Sequence, residues 1–227
     1  MPASASSADV APKHHLSNSF ENSAFDGQFF ELLRWRRDVR RFLTDPVPET
    51  ILDKLIEAAC LAPSVGLSQP WRFIIVDDPA RRAGIRAEFE FCNQSAALEY
   101  EGERAAHYRA LKLAGLVEAP VHLAVFCDHE TRVGHGLGRL TQPETLRDSV
   151  VCAIHTLWLT ARIHGLGVGW VSILRPAIVH DILELPKTWN LVAYLCIGWP
   201  AEPATTPELE HLGWESRKST ASFIVQR

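Results

Sequence analysis

Apolar positions along this chain recur in two rhythms, one helical and one alternating, and the two mark different elements. In ETILDKLIEAACLAP, Ile51, Leu52, Leu55, Ile56, Ala59 and Cys60 share one helical face, and Pro63 stops the pattern. GQFFELLRWRRDVRRF sets Phe29, Leu32, Leu33 and Trp35 at helix-compatible spacing and ends in arginines. LRDSVVCAIHTLWLTARIHG predicts a long amphipathic helix, and AIVHDILEL a short one after Pro176. Residues 79–118 are helical in character but more polar. Four runs rich in β-branched and aromatic residues read as strands: WRFIIVDD, VHLAVFCD, GVGWVSIL and LVAYLCIGWP. Residues 129–142 are Gly-rich and weakly periodic, hence loop, and the last 27 residues lack a compact pattern until SFIV. The uneven interleaving predicts an α+β fold, with helices packed around a small mixed central sheet, over a regular doubly wound one.

At 227 residues with 47% apolar content, the chain is sized for one domain around one core. The Ser/Ala/Pro-rich stretch 1–22 has little to bury and reads as a disordered tail, leaving residues 23–227 as the domain. A formal charge of −4 argues against a nucleic-acid or anionic-membrane partner, and no run approaches the ~18 apolar residues of a membrane span. Cys60, Cys92, Cys127, Cys152 and Cys196 lie too far apart for zinc or redox motifs, and their odd number fits a disulfide framework badly. Three of them sit in apolar runs, where a thiol packs as a small hydrophobe, so a reducing cytoplasm is expected.

Most catalytic motifs are absent. The glycines at 134, 136 and 138, and at 165, 167 and 169, do not complete GxGxxG, and the second set follows a helix rather than a strand. There is no P-loop, HExxH or GxSxG. The anomaly that remains is the run from Arg34 to Arg41, where five of eight residues are arginine in a net-acidic chain. Guanidinium forks match phosphate oxygens, so the run reads as a phosphate clamp; a solvated helix end is the plainer alternative. Asp38 stands inside it. On a continuing helix it would point away from Arg36 and Arg40; if the helix breaks there, the three can converge. A simple salt bridge to Arg36 or Arg41 is the other role open to Asp38.

RRDVRRF, APSVGLSQPWRF, ERAAHYRALKLAG with LVEAP, LGVGWVSIL and PELEHLGW, taken in order, resemble the signature segments of the 5,6-dimethylbenzimidazole synthase (flavin destructase) branch of the flavin-dependent nitroreductases. The resemblance runs from about Arg34 to Trp214. It implies a nitroreductase-like α+β homodimer with an exchanged C-terminal arm and FMN at the interface. By position, Arg36, Arg37 and Arg40, beside Val39, would hold the phosphate and ribityl chain, with Arg217 a second phosphate contact. Pro63, Ser64 and Gly66 would border the flavin from the partner subunit. Gly169, Val171 and Ser172 would lie along the isoalloxazine, and residues 90–118 would form a lid from which Arg109 reaches the ligand. Asp38 and Ser172 align with the family's two catalytically implicated side chains.

The implied reaction consumes reduced FMN and O2. The ribityl C1′ loses a proton and ends inside the imidazole ring of dimethylbenzimidazole, the lower ligand of cobalamin, and the remainder leaves as erythrose 4-phosphate. A base is wanted between ring and phosphate, the place Asp38 would take, whereas Ser172 offers a hydroxyl for hydrogen bonding. With no nicotinamide fingerprint in the chain, a separate flavin reductase would supply the reduced FMN. Two readings stay open beside this one: an FMN-dependent NAD(P)H nitroreductase, and a non-catalytic flavin-binding protein.

Overall fold

A computed structural model describes residues 23–202 and 204–227; the stretch 1–22, expected to be a tail, lies outside the described residues. Strands β1 (Trp71–Ile75), β2 (Val121–Asp128), β3 (Gly167–Val171) and β4 (Trp189–Gly198) form one sheet in the order β1-β2-β4-β3. Neighbouring strands all pair antiparallel. The expected mixed character comes down to one parallel bridge, Asp38 with Val168 on the free edge of β3.

The strand runs are apolar throughout because both faces of the sheet are covered. Along β2, Leu123, Val125 and Cys127 point into one core while Ala124 and Phe126 point into the other, the period-2 alternation of a pleated strand. The first face is covered by α2 (Glu49–Cys60) and α5 (Thr145–Ile163), which bury Leu55, Ala59, Val150, Ala153, Ile154, Leu157 and Ala161. The second is covered by α3 (Pro79–Ala97) and α6 (Pro176–Leu183) through Ile85, Val179 and Leu183. Each fully buried leucine or isoleucine contributes about 1.5–3 kcal/mol, so this apolar stripe outweighs the few tenths that separate helix propensities. The start of α3 is set locally: Pro79 occupies its first turn, and the Asp78 carboxylate accepts from the Ala80 and Arg81 amides at 2.7 and 3.1 Å.

Cys60 departs from expectation. It ends α2 just before the exposed Leu61, and its thiol is exposed rather than packed. Cys127 and Cys196 are buried, and burial pushes their thiols up to about 11 and about 12. The region expected to be helical and lid-like carries α3 and α4 (Gly102–Ala110). The C-terminal segment holds only the short α7 (Glu208–His211) and a 3-10 turn at Thr220–Phe223.

The element that positions the site is the first one. Helix α1 (Ser23–Trp35) stops one residue before the arginine pair, with the Arg36 amide donating to the Leu32 carbonyl at 2.9 Å. From there the chain runs extended beside β3: the Val39 amide donates to the Val168 carbonyl at 3.0 Å, and the Leu43 amide to the Trp199 carbonyl at 2.8 Å. Gly169 allows this approach. A Cβ built on it would fall 2.1 Å from the Val39 carbonyl oxygen, so any side chain there would lift the segment off β3. Gly167 and Gly169 are therefore the seat of residues 38–40.

Candidate functional site

The break at Trp35 settles how the charged run is displayed. In an extended chain residues two apart share a face, so Arg36, Asp38 and Arg40 come to one side. They line a cleft of about 580 Å³ with Arg37, Val39, Trp158, Arg162, Thr205 and Glu208 among its other walls. A smaller hollow of about 150 Å³ opens among Arg36, Arg37, Asp38, Arg40, Glu208 and Arg217. The expected second phosphate contact, 177 residues along the chain from Arg40, thus comes to the same place.

Asp38 is held at both oxygens. Its Oδ1 accepts from the Trp170 amide at 2.9 Å, and its Oδ2 from the Arg40 Nε at 2.7 Å. Its ion-pair partner is Arg40, neither Arg36 nor Arg41, because the extended backbone sets residues 38 and 40 on one side. The carboxylate side chain keeps 31% of its surface exposed, while Arg40 keeps 12%. Each carboxylate oxygen can accept twice, so Asp38 is anchored yet retains acceptor capacity toward the cleft. Arg40 also donates from Nη1 to the Lys112 carbonyl at 3.2 Å, which ties the site to the segment that follows α4.

The cations are crowded. Among the described residues no carboxylate lies within ion-pair distance of the Arg36 guanidinium, which instead stacks over Trp158 at 4.9 Å from the ring centroid. Burial, then the neighbouring Arg217, lowers the pKa of Arg36, with Asp38 opposing; burial and Arg217 lower that of Arg37 as well. Arg37 spends its donors on main-chain carbonyls, reaching Arg36 and Thr205 at 2.6 Å each. Such like-charge crowding around a hollow favours an anion, and the planar forks suit phosphate oxygens. Arg41, also on the cleft wall, pairs with Glu208, which raises its pKa.

Other expected site residues lie apart from the cleft. Ser172 follows the last residue of β3 and is exposed; Val171 is buried in the second core. Pro63, Ser64 and Gly66 belong to a turn fixed on α5, where the Val65 amide donates to the Ser149 Oγ at 3.0 Å and the Ser64 Oγ accepts from the Gln69 amide at 3.1 Å. That turn holds two non-glycine residues at positive φ, Leu67 at 52° and Gln69 at 44°, a strain that sequence reading had no means to register. Arg109 is exposed on the last turn of α4. The stretch around α4 is joined to the C-terminal segment through Trp214, whose ring meets Tyr100 at 5.5 Å and lies under the Arg104 guanidinium at 4.6 Å. Glu208 and Trp158, given no role in the sequence, complete the site; Glu208 stood within the PELEHLGW segment, but nothing there marked it as a partner of the arginines.

A family model described as the nitroreductase family matches residues 33–199. The chain belongs to the nitroreductase family. Among family members, it is 57% identical over 199 residues to a protein of Rhodospirillum rubrum named 5,6-dimethylbenzimidazole synthase, covering 88% of this chain and 94% of that one. A Rhodobacter capsulatus protein of the same name is 48% identical over 190 residues, covering 84% and 92%. Of solved nitroreductase-like structures, an oxidized iodotyrosine deiodinase bound to FMN and 3-iodo-L-tyrosine superposes with a TM-score of 0.69 at 25% identity, covering 87% of this chain and 97% of that chain. The nitroreductase-like α+β fold expected from the sequence is the one observed. Among the described residues, no helix is long and apolar enough to cross a membrane.

Proposed function

We propose that this nitroreductase-family chain is a 5,6-dimethylbenzimidazole synthase that takes reduced FMN as a substrate, with O2 as co-substrate, and releases dimethylbenzimidazole and erythrose 4-phosphate, the pyrimidine part of the isoalloxazine leaving as a separate fragment. The observation that carries this reading is Asp38: a carboxylate pinned between the Trp170 amide and Arg40, at the rim of an arginine-lined hollow. A carboxylate beside a bound phosphate weakens binding unless it has another task, and proton removal from the ribityl C1′ is such a task. Relatives carrying this synthase name at 57% and 48% identity support the same reading.

The residues present suit the substrate. Arg36, Arg37 and Arg217 surround a hollow in which their mutual repulsion would be relieved by a phosphate dianion. Arg40 orients Asp38 and screens it from that phosphate. Reduced flavin supplies the electrons that O2 takes up. The part of the chain is to hold the ribityl arm, take a proton at C1′ on Asp38, and exclude water by closing residues 90–118, with Arg109 reaching the ligand. Ser172, at the end of β3, presents a hydroxyl to the isoalloxazine side, along the edge lined by Gly169 and the main chain of Val171. Pro63, Ser64 and Gly66, remote from the cleft of their own chain, would border the flavin bound by a second copy in a homodimer with an exchanged C-terminal arm. The chain has no nicotinamide fingerprint, so a separate flavin reductase feeds it, and its exposed free thiols Cys60 and Cys152 suit the reducing cytoplasm.

The test is to mix purified protein with chemically reduced FMN in air, without NADH or NADPH, and to follow both products by mass spectrometry. Dimethylbenzimidazole and erythrose 4-phosphate in equal amounts are expected. Recovery of reoxidised FMN alone would reject the proposal.

A further inference from the structure

The turn that carries Ser172 has an anchor outside the cleft. Between β3 and α6 the chain passes through Ser172, Ile173, Leu174 and Arg175, and among the described residues no main-chain hydrogen bond outside the regular elements involves residues 172–174. Leu174 is buried, and the turn ends at Arg175, the residue capping α6. Arg175 is gripped by one carboxylate. Glu88, on α3, accepts from the Arg175 amide at 3.2 Å and Nε at 2.6 Å through Oε1, and from Nη2 at 2.7 Å through Oε2. The Cys92 thiol adds a fourth contact to Oε1 at 3.1 Å.

Glu88 is placed where an apolar residue would be expected. It lies three positions after the fully buried Ile85, on the core side of α3, and its side chain is only 5% exposed. Packing alone would be served as well by leucine, since a buried ion pair is weak support for stability and better suited to fixing one geometry. A fork held at two nitrogens and at its own backbone amide sets both the position and the direction of the turn. Arg175 extends over the Phe91 ring at 4.6 Å, one helical turn further toward the lid. The pair therefore joins α3, which leads into residues 98–118, to the turn three residues beyond Ser172.

The geometry points to Glu88 as a positioning residue: by clamping Arg175 it fixes the turn bearing Ser172 and couples that hydroxyl to α3, the helix that runs into residues 90–118. Its consequence for catalysis rests on the role proposed above for Ser172, whereas the clamp itself does not. The Arg175 fork also holds the Glu88 carboxyl well below its usual range, at about 2, so the clamp is charged at any working pH.

The experiment compares Glu88→Gln and Arg175→Lys with the unaltered protein in two readouts. In hydrogen exchange, the amide of residue 175, which donates to Glu88, should exchange at least about tenfold faster in either variant, with β2 and β4 unchanged. In the reduced-FMN reaction, both variants should bind FMN with a Kd within about twofold, yet form dimethylbenzimidazole about tenfold more slowly. Adding Glu88→Gln to Ser172→Ala should then slow the reaction no further, because both changes disable the same group. Arg175→Lys keeps the charge and loses the fork, so it carries the test if Glu88→Gln fails to fold. Unchanged exchange at the residue 175 amide would overturn the clamp. Faster exchange with an unaltered rate, or with slowing that multiplies that of Ser172→Ala, would overturn its action through Ser172. A native protein that makes no dimethylbenzimidazole would refute the synthase reading and leave the exchange result to decide the clamp.

Discussion

Replacing Asp38 with asparagine separates holding the ligand from reacting with it. The amide has the size of the carboxylate but offers only one acceptor oxygen, whereas two donors converge there, the Trp170 amide at 2.9 Å and the Arg40 Nε at 2.7 Å. One of them must face the new NH2 group. A hydrogen bond to a charged group is worth about 1.5–3 kcal/mol when buried, and an exposed ion pair about 0.2–1 kcal/mol. With the acid 31% exposed and Arg40 still bound to the Lys112 carbonyl, the loss should fall between, at about 1–2 kcal/mol. For a chain of this size that lowers Tm by about 2–8 °C, leaving the fold intact at room temperature. Arg36, Arg37 and Arg217 are untouched, so FMN binding, read by quenching of flavin fluorescence, should persist. Product formation should drop by about 10²–10⁴-fold, the usual contribution of a positioned base. The assay loads the variant with reduced FMN anaerobically, admits air, and quantifies dimethylbenzimidazole against recovered FMN. An asparagine variant that makes product within about threefold of the native rate would refute the reasoning, because no acid–base group would then be needed there.

Other outcomes follow from the same geometry. Gly169→Ala places a methyl 2.1 Å from the Val39 carbonyl, so the arginine segment should lift from β3, with about 1–3 kcal/mol lost in urea unfolding and FMN binding lost with it. Arg217→Gln should weaken FMN binding by about 10–100-fold with little change in Tm, measured by titration, since it removes one charge-assisted phosphate contact from an exposed segment. Buried His122, 1% exposed and bonded through Nδ1 to the Tyr194 hydroxyl at 3.0 Å, has its pKa lowered to about 4 by burial and then by Arg82. The unfolded chain therefore takes up this proton first as pH falls, and stability drops from about pH 6.5 to about pH 4, by roughly 3 kcal/mol at most. His122→Gln should flatten that part of the urea-midpoint profile against pH.

Elements with a strong period were legible in the sequence. The β2 run spans the strand observed, and the α2 stripe is buried at Leu52, Leu55 and Ala59. The arginine run was legible as chemistry but ambiguous as geometry: whether Asp38 meets Arg36, Arg40 or Arg41 depends on where the helix stops, and no proline or glycine marks Trp35 as its end. What stops it is long-range, the docking of residues 38–43 on β3 and Trp199, made possible by Gly169. The Glu88–Arg175 clamp joins residues 87 apart and leaves only one local trace, a glutamate at a core position of α3. The packing of Trp214 against Tyr100 and Arg104 likewise has no periodic signature, because a segment with one short helix and one 3-10 turn repeats nothing.

The most direct test of the account is a crystal structure of the protein with FMN bound. It should show the phosphate on Arg36, Arg37 and Arg217, with an oxygen of Asp38, still held by the Trp170 amide, within about 3.5 Å of the ribityl C1′. A phosphate seated elsewhere, or an Asp38 carboxylate remote from the ribityl carbons, would contradict it.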